Sequence, residues 1–280
     1  MLPIRRDLRF TLPADRAKNW HEQGSHVTHF FNALSLLFPA GEQFFIDSVR
    51  YYRDRINDPK LNEEIRGFIG QEAMHSREHI RYNDLLQSAG LPARTLDRRL
   101  QAIVDFQKKW APASFNLAVT VALEHYTAIL AELMLSDPSR IGDSVEGYRQ
   151  MWTWHALEET EHKSVSFDVF NAVFKPGPKR YLIRTGAMLC TTVIFWQVVF
   201  GFHVRLLIAD RHGGHHLRGL WRVTKFLFSS RGVFPQIARS WLDFFRPGFH
   251  PWDQDNRAHL QRIDGLVEAI ENAKPSVTTD

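Results

Sequence analysis

The sequence predicts an all-α fold, a four-helix bundle with additional helices at its C-terminal end. Three observations carry this. Apolar residues recur at helical spacing along most of the chain. No stretch alternates with the period of a strand, and no Asn-Gly or Asp-Gly pair joins two apolar runs. Breaks containing proline or glycine fall at helix-length intervals: NDPK (57–60), AGLP (89–92), APAS (111–114), SDPSRIGD (136–143) and KPGPK (175–179). They leave long helices at about 39–56, 60–89, 113–136 and 143–174, with a shorter one near 94–109.

Stepping along each long helix by three and four picks out one face, the stripe that meets neighbouring helices in a bundle. The first gives Phe38, Glu42, Phe45, Val49, Tyr52, and the second Ile65, Phe68, Glu72, His75, His79, Tyr82, Leu86. The third gives Leu117, Val121, Glu124, Ala128, Ala131, Leu135, and the fourth Tyr148, Trp152, His155, Glu159, His162, Ser166, Val169. Each stripe is apolar at its ends and carries an acid near mid-length. An isolated ionised carboxylate buried there costs on the order of several kcal/mol, or stays protonated. A bound cation relieves all four together. Two acids are followed three residues on by histidine, as Glu72/His75 and Glu159/His162. Two lone glutamates plus two Glu-x-x-His motifs are the ligand arithmetic of a dinuclear iron or manganese carboxylate bundle. Oxygen and imidazole donors suit those metals.

Composition bounds the rest. With 280 residues and 44% hydrophobic side chains, the chain can bury a substantial core. The single cysteine, Cys190, excludes an internal disulfide and a cysteine-based metal site, and fits a reducing compartment. MLPIRRDLRF is basic but has no following apolar run, so no secretory signal is expected. There are no solenoid repeats, and only KPSVTTD at the end reads as frayed. The division expected is a helical metal-binding bundle over 1–178 and a hydrophobic, basic extension over 179–280, packing on the bundle or a membrane surface.

Within that extension, residues 185–204 lack charge and reach the length of a membrane span, though Thr191, Thr192, Gln197 and His203 weaken that reading. Both flanks are basic, so the charge rule assigns no orientation. LRGLWRVTKFLFSSRGVF mixes Arg and Lys with Trp and Phe, as interfacial helices do. The location expected is cytoplasmic, with attachment to the inner membrane surface through 181–230. Net charge is +4 and the pI about 9.3. No nucleic-acid motif accompanies the basic residues, so nucleic acid is not an expected partner.

The chain resembles the ferritin-like di-iron superfamily and, more closely, the bacterial family called predicted metal-dependent hydrolases. The resemblance covers about residues 25–210, and WHALEETEHKSVSFDVF (154–170) is its most distinctive stretch. The ligand order is also similar to that of the aminoarene N-oxygenases, which carry an extra histidine four residues before the second Glu-x-x-His glutamate; His155 holds that place here. The set this implies is Glu42, Glu72, His75, Glu124, His155, Glu159 and His162, with Glu72 and Glu159 as bridges and no catalytic residue beyond the metal centre. His79 reads as a partner behind the ligands or as channel lining. Glu158, Glu161 and Lys163 read as surface, His125 as structural, and HGGHH (212–216) as a loop after a helix. The aromatic residues along the stripes read first as core; Ala128 and Ala131 beside Glu124 allow close helix approach or a cavity.

The function expected is an oxidase or oxygenase with two iron ions, or a manganese or mixed pair, activating O2 on a small apolar, lipid-like substrate. An electron donor is an expected partner, and a homodimer is compatible with the pattern. The alternatives are a hydrolase that activates water at the metals, and a non-enzymatic iron-handling or metal-stabilised membrane-associated protein.

Overall fold

The structure is a computed structural model that describes residues 2–213 and 216–272. Among the described residues it is all-helical, with no strand. The frayed end expected at KPSVTTD (274–280) and part of HGGHH lie outside them. The helices are α1 (Ser25–Arg53), α2 (Pro59–Ser88), α3 (Ala93–Trp110), α4 (Ala113–Ser136), α5 (Glu146–His162), α6 (Val165–Val173), α7 (Pro178–Ala209), α8 (Leu217–Phe228), α9 (Val233–Asp243) and α10 (Ile263–Asn272).

The bundle is α1, α2, α4 and α5, with α6 continuing beyond α5. Its interior is filled by Val49, Ile65, Phe68, Tyr82, Leu117, Tyr148, Met151 and Leu157, all essentially inaccessible. Helix α2 begins as the Asp58-Pro59 pair dictates: Pro59 occupies the first turn, where no N–H is needed, and the Asp58 carboxylate accepts from the amides of Lys60 and Leu61.

Two boundaries differ from expectation. Helix α1 starts at Ser25 rather than near 39, and Pro39 lies inside it. Proline removes one backbone donor from a helix, but the preceding turns bury Val27, Phe30, Phe31, Ala33, Leu34 and Leu36, and that packing holds the helix through it. The fourth long helix is two, α5 and α6, separated by a turn at Lys163–Ser164. There the Lys163 ammonium leaves the bundle axis to donate to the Gln254 carbonyl and Asn256 Oδ1, at 2.7 and 2.8 Å.

The first residues form a strap over α2 and α5. Its close approach requires glycine beneath: a Cβ on Gly67 would lie 2.1 Å from the Pro3 carbonyl oxygen, and one on Gly147 1.9 Å from that of Thr11. Helices α3 and α7 both lie across α1 and α4 on another side of the bundle. Ala187, Met188, Val199, Phe202 and Leu206 form the buried face of α7. By length and composition alone, α4 and α7 could cross a membrane; α4 is mostly buried in the bundle, and α7 is packed on one face only.

Candidate metal centre

Helix α1 contributes Glu42, α2 Glu72 and His75, α4 Glu124, and α5 His155, Glu159 and His162. All are buried and all converge on the bundle axis. His162 Nε2 lies 3.1 Å from Glu72, 3.4 Å from Glu159 and 3.7 Å from Glu124. On the other side of Glu159, its Oε1 lies 3.1 Å from His155 Nε2 and 3.7 Å from His75 Nδ1. Donor atoms close enough to share one ion occur as Glu72–Glu124–His162, Glu42–Glu72–His75 and His75–His155–Glu159. Glu72 is common to the first two groups and His75 to the last two, and Glu159 lies between His155 and His162, at 3.1 and 3.4 Å. A further group, Glu42–His79–His155, brings His79 to the edge of the same site.

The polar atoms facing this space have no hydrogen-bond partner. They are Glu42 Oε1, both oxygens of Glu72, Glu124 and Glu159, and His75 Nδ1, His155 Nε2 and His162 Nε2. Buried polar groups are nearly always paired, so such a concentration of unpaired donors' lone pairs needs an explanation. Cation binding supplies one, and the N/O donor set fits iron, manganese or zinc.

The opposite nitrogen of each histidine is held, which fixes its tautomer. His75 Nε2 donates to Glu158 at 3.0 Å, leaving Nδ1 bare toward the site. His162 Nδ1 donates to Gln71 Oε1 at 2.9 Å, so Nε2 faces the site. Burial opposes its protonation, but Glu159 and Glu72 hold this imidazole well above its ordinary value, and a cation would take the place of that proton. His155 is held through a chain of hydrogen bonds. Asn83 donates its amide to the Ser35 carbonyl, so Asn83 Oδ1 accepts from the Ser35 hydroxyl. The Ser35 oxygen then accepts from His79 Nδ1, at 2.9 Å. His79 Nε2 is left as acceptor for His155 Nδ1–H at 3.0 Å, and His155 Nε2 is bare toward Glu159. On the carboxylate side, Ser76 Oγ donates to Glu42 Oε2 at 2.6 Å.

Electrostatics show how the protein alone tolerates this crowd. Burial, then the neighbouring Glu72 charge, pushes the carboxyls of Glu42 and Glu124 well above their ordinary range. Burial raises Glu72 to about 7. Burial opposes ionisation of Glu159 as well, but His162 and His155 outweigh it and hold that carboxyl well below its usual value. Burial pushes His75 and His79 well below theirs, so both imidazoles are neutral, as metal ligands and their acceptors must be.

The expectation that Glu158, Glu161 and Lys163 are surface residues is corrected. All three are buried, because the strap and the C-terminal segment cover the sides of α5 that a bare bundle would expose. Arg6 donates to Glu158 at 3.1 Å and to both oxygens of Glu161 at 2.9 and 3.1 Å, and Lys163 is enclosed near Asn256. Burial still raises Glu158 to about 7 against the pull of Arg6. His125 is buried away from the site with Nε2 3.0 Å from the Ser240 carbonyl. Sequence reasoning missed Gln71, Ser76, Glu158 and the Ser35–Asn83 pair as supports. Only their positions one or more turns from a ligand could have suggested them.

An apolar pocket of about 220 Å³ ends at Glu42, His155 and Glu159. Phe38, Phe45, Leu123 and Thr127 line its course between α1 and α4, and Ile103 of α3 with Cys190 and Ile194 of α7 line its outer part.

A family model described as "Predicted metal-dependent hydrolase" matches residues 4–255. The chain belongs to this family. Metal dependence is thus the family's description, and the clusters on α1, α2, α4 and α5 are where this member has side chains able to hold an ion. Comparison with curated proteins and with solved structures finds no match.

Proposed function

We propose that this member of the predicted metal-dependent hydrolases is a ferritin-like dinuclear metalloenzyme that uses iron, or manganese, with O2 to oxidise a small apolar substrate. The observation that carries the reading is the set of unpaired buried atoms, two Glu-x-x-His motifs and two further glutamates on four helices, which is the ligand layout of dinuclear carboxylate bundles. When bound, a redox-active pair would supply the O2 chemistry. This chain's own residues do the rest. Glu42, Glu72, Glu124 and Glu159, with His75, His155 and His162, would hold the pair. Glu158, Gln71 and His79 keep the three imidazoles in the tautomers that present a lone pair. The aromatic and aliphatic walls of the pocket exclude water and bring a substrate with few polar groups to the side where Glu42 and His155 stand. An electron donor is part of the proposal.

Hydrolysis is the second reading, favoured by the family's description. A dinuclear centre can activate water for attack, and such a reaction would run without O2 and with redox-inert metals.

Anaerobic loading with ferrous iron, followed by O2, tests both. The proposed function requires bound iron at a two-to-one ratio and an O2-dependent optical change. A fully loaded protein that is silent to O2, yet cleaves model esters with zinc under argon, would establish the hydrolase reading instead.

A further inference from the structure

The pocket's mouth lies where α3 and α7 run over α1 and α4. On both sides of that mouth large apolar side chains face outward. On α3, Ile103, Phe106 and Trp110 are spaced by three and four, and Phe106 and Trp110 are each 67% exposed. On α7, Leu189, Val193 and Ile194 flank Cys190, and the same outer face continues to Leu182 at one end and Val204 and Ile208 at the other. Helix α8 adds Leu217, Leu220 and Trp221. Large apolar side chains exposed on three helices, two of them lining the outer part of an apolar pocket, mark a contact surface.

Charge says what it contacts. Between Asp168 and Asp243 the sequence contains a single acid, Asp210, and it is buried against His29 at 3.0 Å. The same span carries Lys175, Lys179, Arg180, Arg205, Arg211, Arg218, Arg222, Lys225, Arg231 and Arg239. On α3, Lys108 is paired with Asp47, and Lys109 lies 5.1 Å from the Trp110 ring centroid. A second copy of the chain would set this positive face against itself. An anionic lipid surface matches both its charge and its apolar residues, with tryptophan and lysine at the headgroup level.

We infer that the α3–α7–α8 face docks on an anionic membrane and that the pocket takes an aliphatic lipid chain from it toward Glu42 and His155. The second half rests on the reading of the pocket as the substrate's approach to the metal centre. The first half does not.

Apoprotein tests both halves without any metal chemistry, so failure of the O2 reaction leaves them standing. Cys190 is the only cysteine and is exposed at the mouth, so an environment-sensitive fluorophore can be attached there without engineering. Vesicles of phosphatidylcholine with one-quarter phosphatidylglycerol should blue-shift its emission and carry the protein in flotation, and pure phosphatidylcholine should not. Salt should weaken the association, since it screens charges beyond roughly 10 Å at 0.1 M. The outward-facing double variant Leu189→Asp/Val193→Asp should bind at least about tenfold more weakly with unchanged circular dichroism. Unlabelled protein should bind cis-parinaric acid with a rise in fluorescence that is lost in Val119→Trp and in Thr127→Trp, each of which narrows the passage. No flotation, equal binding by the double variant, or dimerisation through this face would overturn the docking. Flotation without uptake of the acyl probe would overturn the chain-binding role.

Discussion

Replacing Glu124 with leucine should move the stability of this protein in opposite directions with and without metal. Glu124 sits in the apolar stripe of α4 between Val121 and Ala128, 1% exposed, with both carboxylate oxygens unpaired and the nearest imidazole nitrogen, of His162, 3.7 Å away. In the apoprotein it is a desolvated polar group with no hydrogen bond, a burden of about 1–3 kcal/mol. Leucine has similar volume and needs no partner, so Glu124→Leu should stabilise the apoprotein by about that amount. At roughly 2–4 °C per kcal/mol for a domain near this size, its Tm should rise by roughly 2–12 °C. In the wild type, metal at one hundred times its Kd should add about 2.7 kcal/mol, and in the variant most of that gain should vanish. The assay is calorimetry of chelator-treated and ferrous-loaded samples, with metal stoichiometry on both. A variant less stable than wild type without metal, or one that keeps the full metal-induced shift and both ions, would show that Glu124 is a structural core residue and refute the reasoning.

Glu158→Leu and Gln71→Leu each remove the acceptor that orients a histidine, and chelator competition should show metal affinity falling roughly 10–100-fold. Ser35→Ala should act on His155 at longer range through His79 and produce a smaller loss in the same titration. Arg6→Ala leaves Glu158 and Glu161 buried without their cation; unfolding in urea should show a loss of about 3–5 kcal/mol, and an unchanged midpoint would mean the strap contributes nothing. Burial holds His21, His125 and His203 to about 4, below their usual 6.5. The unfolded chain therefore binds more protons between those values, so stability should fall as pH drops from 6.5 toward 4, by at most about 3 kcal/mol for each group, and a falling Tm over that range would show it.

Much of the helical pattern was legible because its signals are local. Asp58-Pro59 fixes the start of α2 within the chain itself, and the three- and four-residue steps bring Glu72, His75, Glu159 and His162 to one face without reference to anything distant. Pro39 misled for the same reason: its local meaning is a helix start, and the burial that overrides it comes from neighbours many residues away. Glu158 and Glu161 look like solvated glutamates beside Lys163, because an i, i+4 reading sees only one helix. Their burial depends on Arg6, which no periodicity connects to α5. The pocket was equally out of reach, since Phe38 and Leu123 look the same whether they fill a core or line an opening.

The strap also sets an order of events. The contact between Arg6 and Glu161 spans 155 residues of chain, so it forms only after α5 has taken its place, and loop closure over such a length is slow. Until then the flank of the centre beside Gln71 and Glu158 is open to water and dissolved ions. Closure places the Arg6 guanidinium over that flank, where it pairs with Glu158 and Glu161 and shields them from water. The two flanks of the site thus differ in character: a polar one closed by the chain's own N-terminal strap, and an apolar one that opens into the pocket between α3 and α7.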